Sequence, residues 1–262
     1  MPPLHLYNIQ YTQLDDMTWC AAAQVTAPDP LNTPAPLNPP DSLNPLSHSA
    51  LFSHARTATA SLSAREIAQQ QRQQQRAGVR LLLQSLLNKI NISDTLDDCS
   101  FPYRLISSQY FVCFSHTGAH SKTIHSKSAS TQRKNEKLSD DLSNKVAVVI
   151  SAHRPAGIDI ETNYVEWRVA QRFYHTNEIA VLQTLSTVQR DTAAKLLWQI
   201  KESFIKIHQY KLAQGLGMDY SYLIADLING SGKKKPPLIV IKDTKSDYRI
   251  ALLLSQQIVI VY

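Results

Sequence analysis

Gly157-Ile158-Asp159-Ile160-Glu161 and, later in the chain, Trp198-Gln199-Ile200-Lys201-Glu202-Ser203-Phe204-Ile205-Lys206 are the stretches from which the rest of this sequence is best read. If the first is a strand, its side chains alternate across it, so Asp159 and Glu161 leave one face while Ile158 and Ile160 leave the other. The second lies in a helical pattern running from Asp191 to Tyr210, where Ala193, Leu196, Leu197, Ile200, Phe204 and Ile207 recur at helical spacing and define a core face. At about 100° per residue, Trp198, Glu202 and Lys206 form one i, i+4 row well away from that stripe, with Lys195 beside it. An acid and two cations therefore look outward from the helix.

Three carboxylates drawn from a strand and a helix are hard oxygen ligands suited to Mg²⁺, with Mn²⁺ as the alternative; Mg²⁺ keeps several waters and takes phosphate oxygens for its remaining positions. A lysine beside such a cation points to phosphate chemistry. Each motif alone is common, because Glu202 and Lys206 at i, i+4 make an ordinary surface ion pair and acid-x-acid occurs at many strand ends. Both together, in this order and with Trp198 and Ser203 in place, form a more specific signal.

Composition sets bounds on what the chain can be. Its 262 residues are 43% apolar and 18% charged, enough for one large core or two small ones. The formal net charge of +6 implies acidic or phosphorylated partners without choosing among them. There is no apolar run of membrane-spanning length and no signal-peptide pattern at the start, so the expectation is a cytoplasmic protein without membrane association. Cys20, Cys99 and Cys113 are odd in number and far apart, without Cys-x-x-Cys spacing, and are expected to be reduced structural thiols. The Lys233-Lys234-Lys235 run reads as a solvated turn, and no nucleic-acid motif accompanies it.

The remaining elements can be placed coarsely. A strand is expected in Leu4 to Tyr11. Residues 27–47 hold seven of the thirteen prolines and are expected to be a loop. A helix is predicted over 62–90, striped by Val79, Leu82, Leu83, Leu86, Leu87 and Ile90 and interrupted by Gly78. Tyr110–Phe114 and Val146–Ile150 read as paired strands around a polar insertion at 119–145. Leu238–Ile241, Arg249–Leu254 and Ile258–Tyr262 read as short strands. The composite is α+β.

These residues resemble the 4'-phosphopantetheinyl transferase superfamily of the surfactin-synthetase-activating type. The shared pattern is Gly-Ile-Asp-x-Glu, then Trp-x-x-Lys-Glu-Ser/Ala-x-x-Lys, preceded by a Ser-His-Ser/Thr-Gly element found here as Ser115-His116-Thr117-Gly118. Arg172-Phe173-Tyr174-His175-Thr176-Asn177-Glu178 looks like the family's helix end and acidic turn, and Gly215-Leu216-Gly217 like its glycine turn. The resemblance implies two similar α+β halves related by a pseudo-twofold, 1–154 and 155–262, with the active site in the cleft between them and a monomeric chain.

It further implies transfer of the phosphopantetheine arm of coenzyme A to a serine of an acidic acyl or peptidyl carrier protein, leaving adenosine 3',5'-bisphosphate. In that scheme Asp159, Glu161 and Glu202 hold the metal, Lys206 neutralises phosphate charge and Glu202 accepts the serine proton. Ser115, His116, Arg72 and Arg76 face coenzyme A phosphates, with Arg80 next along the same helix face. Lys201 is ligand-adjacent. The family's Gly-Lys-Pro element is missing; Pro102-Tyr103-Arg104 substitutes for it, with Arg104 as the cation. The segment from Asn163 to Leu185 corresponds to the family's carrier-docking region, with Arg168, Arg172, Phe173 and Tyr174 as the expected contacts. Three other readings stand beside this one: a metal-dependent phosphohydrolase acting on a nucleotide pyrophosphate, a non-catalytic basic module whose net charge serves nucleic acid, and a carrier-binding member without catalysis.

Overall fold

The computed structural model describes residues 4–26, 63–117, 144–230 and 236–262. The proline-rich stretch, Gly118, most of the 119–145 insertion and the lysine run lie outside the described residues. Two antiparallel sheets pack face to face, and each carries one long helix on its outer face.

The first sheet is formed by β1 (His5–Asp15), β2 (Thr18–Thr26), β3 (Leu96–Asp97), β4 (Tyr103–Leu105), β5 (Phe111–Thr117) and β6 (Asn144–Ser151), in the order β1-β2-β6-β5-β4-β3. Its helix, α1 (Ala64–Lys89), begins at Ser63, whose hydroxyl accepts from Glu66 N while the Glu66 carboxylate accepts from Ser63 N at 2.8 Å. This capping box satisfies backbone donors that the first turn leaves unpaired. The stripe Val79, Leu82, Leu83, Leu86 and Leu87 is buried against Ala21, Ala23, Val25, Val146, Val148 and Ile150. Gly78 lets the helix approach, since a Cβ there would meet Val25 Cγ2 at 2.8 Å.

The second sheet is formed by β7 (Gly157–Ile160), β8 (Ile239–Lys242), β9 (Arg249–Leu253) and β10 (Ile258–Val261), in the order β7-β10-β9-β8. Five helices precede its last three strands: α2 (Trp167–Phe173), α3 (Thr176–Gln183), α4 (Thr187–His208), α5 (Leu212–Leu216) and α6 (Ile224–Gly230). All six stripe residues of α4 are buried, among Ile250, Leu252, Val259 and Val261 of the sheet. Between the sheets lie Cys20, Ala22, Cys113, Ala147 and Val149 from one side and Ile158, Ile160, Ala251, Leu253, Ile258 and Ile260 from the other. Because β6, β9 and β10 are covered on both faces, they read as unbroken apolar runs, while alternation within them assigns each residue to one layer or the other. The architecture is α+β, each half one long helix across one antiparallel sheet. No helix among the described residues is long and apolar enough to cross a membrane.

The structure adds one large element to the sequence expectations. The strand expected at Leu4 to Tyr11 is the first arm of a hairpin whose second arm, β2, lies between β1 and β6. Cys20-Ala21-Ala22-Ala23 has little intrinsic strand preference, and its place comes from small side chains that fit between layers packed on both sides.

Candidate active site

β7 is held against α4 unusually closely. A Cβ at Gly157 would lie 2.1 Å from the Ser203 carbonyl oxygen and 2.9 Å from its Cα, so only glycine tolerates this approach. The motif glycine and the small residue at 203 thus have a packing reason. As the alternation requires, Ile158 and Ile160 enter the inter-sheet core, while Asp159 faces the helix.

Asp159 is buried, and its Oδ1 accepts from Lys206 Nζ at 3.0 Å and from Ser115 Oγ at 3.1 Å. Ser115 Oγ also accepts from Ile160 N at 3.1 Å and from Lys206 Nζ at 3.3 Å, and Lys206 donates to the Ile158 carbonyl at 2.7 Å. β5 and β7, from different sheets, are therefore joined through one hydroxyl. Burial works to lower the Lys206 pKa, but Asp159 and other anionic neighbours outweigh it and raise it, so the ammonium stays charged. Glu161 follows the strand; its amide donates to Gln257 O at 3.2 Å and its carboxylate accepts from Asn163 N at 2.8 Å.

Glu202, four residues before Lys206 on α4, completes the row. Burial pushes its pKa up, Lys206 opposes this, and the carboxylates of Asp159 and Glu161 add to the rise. Three like charges are thus close enough to feel one another. They line one cavity of about 460 Å³ with Ser115, His116, Trp198, Lys206 and Gln75. Among the described residues, no cluster of three or more His, Cys, Asp or Glu side chains is drawn together as a closed metal cage. A hard cation that keeps its own waters needs only one or two protein carboxylates, and an all-oxygen set with mutual repulsion fits such an ion.

A second cavity of about 490 Å³ adjoins the first through Phe114, His116 and Lys206, and is lined further by Arg76, Arg80, Phe101 and Tyr103. Burial, with Lys206 and Arg76, lowers the His116 pKa against an opposing effect of Asp159. Arg80 is partnered by Asp98, which leaves Arg76 as the arginine of this lobe with no ion pair among the described residues.

Several expected site residues lie elsewhere. Lys201 is 0% exposed: its ammonium pairs with Glu178 at 3.0 Å, donates to Leu216 O at 2.7 Å and to Met218 O, and sits 5.2 Å from each of the Tyr174 and Tyr220 ring centroids. Glu178, also 0% exposed, accepts from His175 N and Tyr220 N, both at 2.9 Å. The acidic turn, the motif lysine and the glycine turn therefore meet in the core of the second half. Ser115 is 5% exposed and tied to β7, so it braces the carboxylate strand from within the cavity wall.

Arg104 points away from the cleft and stacks 4.1 Å from the Phe111 ring, because neighbours on a strand face opposite ways and Tyr103 takes the cavity side. Arg72 is exposed on α1 and borders neither cavity. Tyr174 is 6% exposed and donates to Ala194 O at 2.6 Å, which removes it from an open docking face, while Phe173 is half-buried against the same core. Arg168 and Arg172 remain exposed. Two residues at or beside the site escaped the sequence reading. Gln75 shares a helical stripe with Val79, Leu82 and Leu86, its only distinguishing mark in a glutamine-rich run. Gln199 is buried between α4 and β7.

Carboxylates, a lysine and cationic side chains gathered in one cleft are the kinds of groups that phosphate chemistry uses. Residues 155–256 match the family model described as 4'-phosphopantetheinyl transferase superfamily. Over 62 residues the chain is 40% identical to the 4'-phosphopantetheinyl transferase gsp of Aneurinibacillus migulanus, a match spanning 23% of this chain and 26% of that protein. The family resemblance seen in the motifs holds: this chain is similar to the 4'-phosphopantetheinyl transferase superfamily, of the surfactin-synthetase-activating type.

Proposed function

We propose that the protein transfers the phosphopantetheine arm of coenzyme A to a serine hydroxyl of an acyl or peptidyl carrier protein. The observation that carries this is the joining of two cavities at His116 and Lys206, one holding Asp159, Glu161 and Glu202, the other Arg76 and the rings of Phe101 and Tyr103. A ligand with a pyrophosphate in its middle and an aromatic base at one end matches that sequence of surfaces.

Asp159, Glu161 and Glu202 would hold Mg²⁺, which when bound supplies charge stabilisation for pyrophosphate oxygens. Lys206, kept charged by Asp159, neutralises charge that gathers on the phosphate oxygens as the bond to the leaving group breaks. His116 and Arg76 receive the remaining phosphate groups. The carrier serine oxygen bonds to the β-phosphorus, the bond to the α-phosphate oxygen breaks, and adenosine 3',5'-bisphosphate departs. Glu202, whose raised pKa makes it a stronger base than an open carboxylate, takes the serine proton. Ser115 keeps Asp159 and β7 in place during the transfer.

The test is incubation of the purified protein with coenzyme A, Mg²⁺ and a panel of unmodified carriers, weighed intact by mass spectrometry, with Glu202→Ala alongside. A gain of one phosphopantetheine that disappears in the variant is the expected result. Release of nucleotide product with every carrier unmodified would replace the transferase with a phosphohydrolase.

A further inference from the structure

We infer that Gln199 is a positioning residue that sets the spacing of the three carboxylates. This rests on the cation site proposed above. The Gln199 side chain is 1% exposed, and its Nε2 donates to Gln257 O at 2.8 Å and to Asp159 O at 3.4 Å. Gln257 O accepts as well from the amide of Glu161 at 3.2 Å. One amide group therefore grips the strand at Asp159 directly and at Glu161 through a shared carbonyl. On α4, Glu202 is three residues beyond Gln199, on the same side of the helix. The two carboxylates of the strand and the one of the helix are held at their mutual distance by this contact.

The turn it grips is itself set up for the purpose. Gln257 has φ 62°, a left-handed backbone that side-chain-bearing residues rarely take, and its side-chain oxygen accepts from Lys145 Nζ at 3.2 Å. A buried amide is costly unless it is hydrogen-bonded, and here its donors go to main-chain carbonyls beside the acids. Gln199 touches no reacting atom; its effect passes through Asp159 and Glu161.

The experiment titrates the full chain, without coenzyme A, with Mn²⁺ alone, reading free Mn²⁺ by electron paramagnetic resonance, and then measures half-saturating Mg²⁺ and the carrier KM in the transfer assay. Gln199→Met keeps length and bulk but removes the donors. Ser203→Ala, which loses a buried hydroxyl bond to Gln199 O on the same helix without touching the acids, serves as the stability control. Groups that orient metal ligands are worth about 10–100-fold in metal affinity, so Gln199→Met is expected to weaken Mn²⁺ by about tenfold or more and raise half-saturating Mg²⁺ in step, with carrier KM unchanged. Ser203→Ala is expected to hold Mn²⁺ as the native chain does. Native-like Mn²⁺ affinity in folded Gln199→Met overturns the inference. If that variant does not fold, Gln199→Asn, one methylene short of both carbonyls, is read in the same way. Absence of Mn²⁺ uptake by the native chain overturns the cation site itself, and this inference with it.

Discussion

Replacing Lys201 with methionine separates a lysine that holds the fold from one that holds a ligand. Methionine keeps the length of the side chain, but the buried Glu178 carboxylate loses its counter-ion at 3.0 Å and the carbonyls of Leu216 and Met218 lose their donor. Burial lowers the Lys201 pKa and raises that of Glu178, and each is opposed by the other's charge, so removing either partner exposes the full cost of burial. Breaking a buried pair by deleting one member costs about 3–5 kcal/mol. Taking about 4 kcal/mol against a urea slope of about 3 kcal/mol per M for a chain this large, the unfolding midpoint falls by about 1.3 M.

The double variant Lys201→Met with Glu178→Gln is expected to recover part of that loss, since the uncompensated charge is gone while the acceptor for Tyr220 N is kept. The assay is urea unfolding followed by circular dichroism, with coenzyme A binding measured by calorimetry on the folded fraction. An unchanged midpoint together with lost coenzyme A binding would refute the reasoning and return Lys201 to the ligand.

Gly157→Ala is expected to destabilise by about 3 kcal/mol, because the added methyl meets backbone, while Gly78→Ala is expected to cost less, its crowding against the Val25 and Val146 side chains being partly offset by better helix propensity; thermal unfolding of the two should show that order. Tyr174→Phe should cost about 1 kcal/mol through its lost bond to Ala194 O and leave the carrier KM unchanged, whereas a raised KM would put Tyr174 on the docking face. For Asp219, burial acts to raise the pKa but hydrogen bonds from Asn177 and Ser221 outweigh it and bring it down to about 2. A carboxyl depressed on folding contributes stability that is present above its unfolded value of about 3.9 and lost as pH falls through the folded one. Acid unfolding of Asp219→Asn should therefore be flatter than that of the native chain between those values, and an identical slope would exclude this contribution.

Periodicity alone located much of this molecule. It marked the α4 stripe, the opposed faces of Gly157–Glu161, the β5 and β6 pairing and the three final strands, because each depends on which side of its own element a residue occupies. By the same arithmetic Lys201 was already on the wrong side for a ligand: it is four residues after Leu197 and three before Phe204, both buried. The motif's identity hid its direction. What no sequence period contains is the neighbour across a gap. That Glu178 waits opposite Lys201, that Ser115 ties one sheet to Asp159 of the other, that Gln199 reaches the carbonyls beside the acids, and that Ala-rich β2 becomes a central strand were decided only when the layers packed, since each depends on distances between segments far apart in the chain.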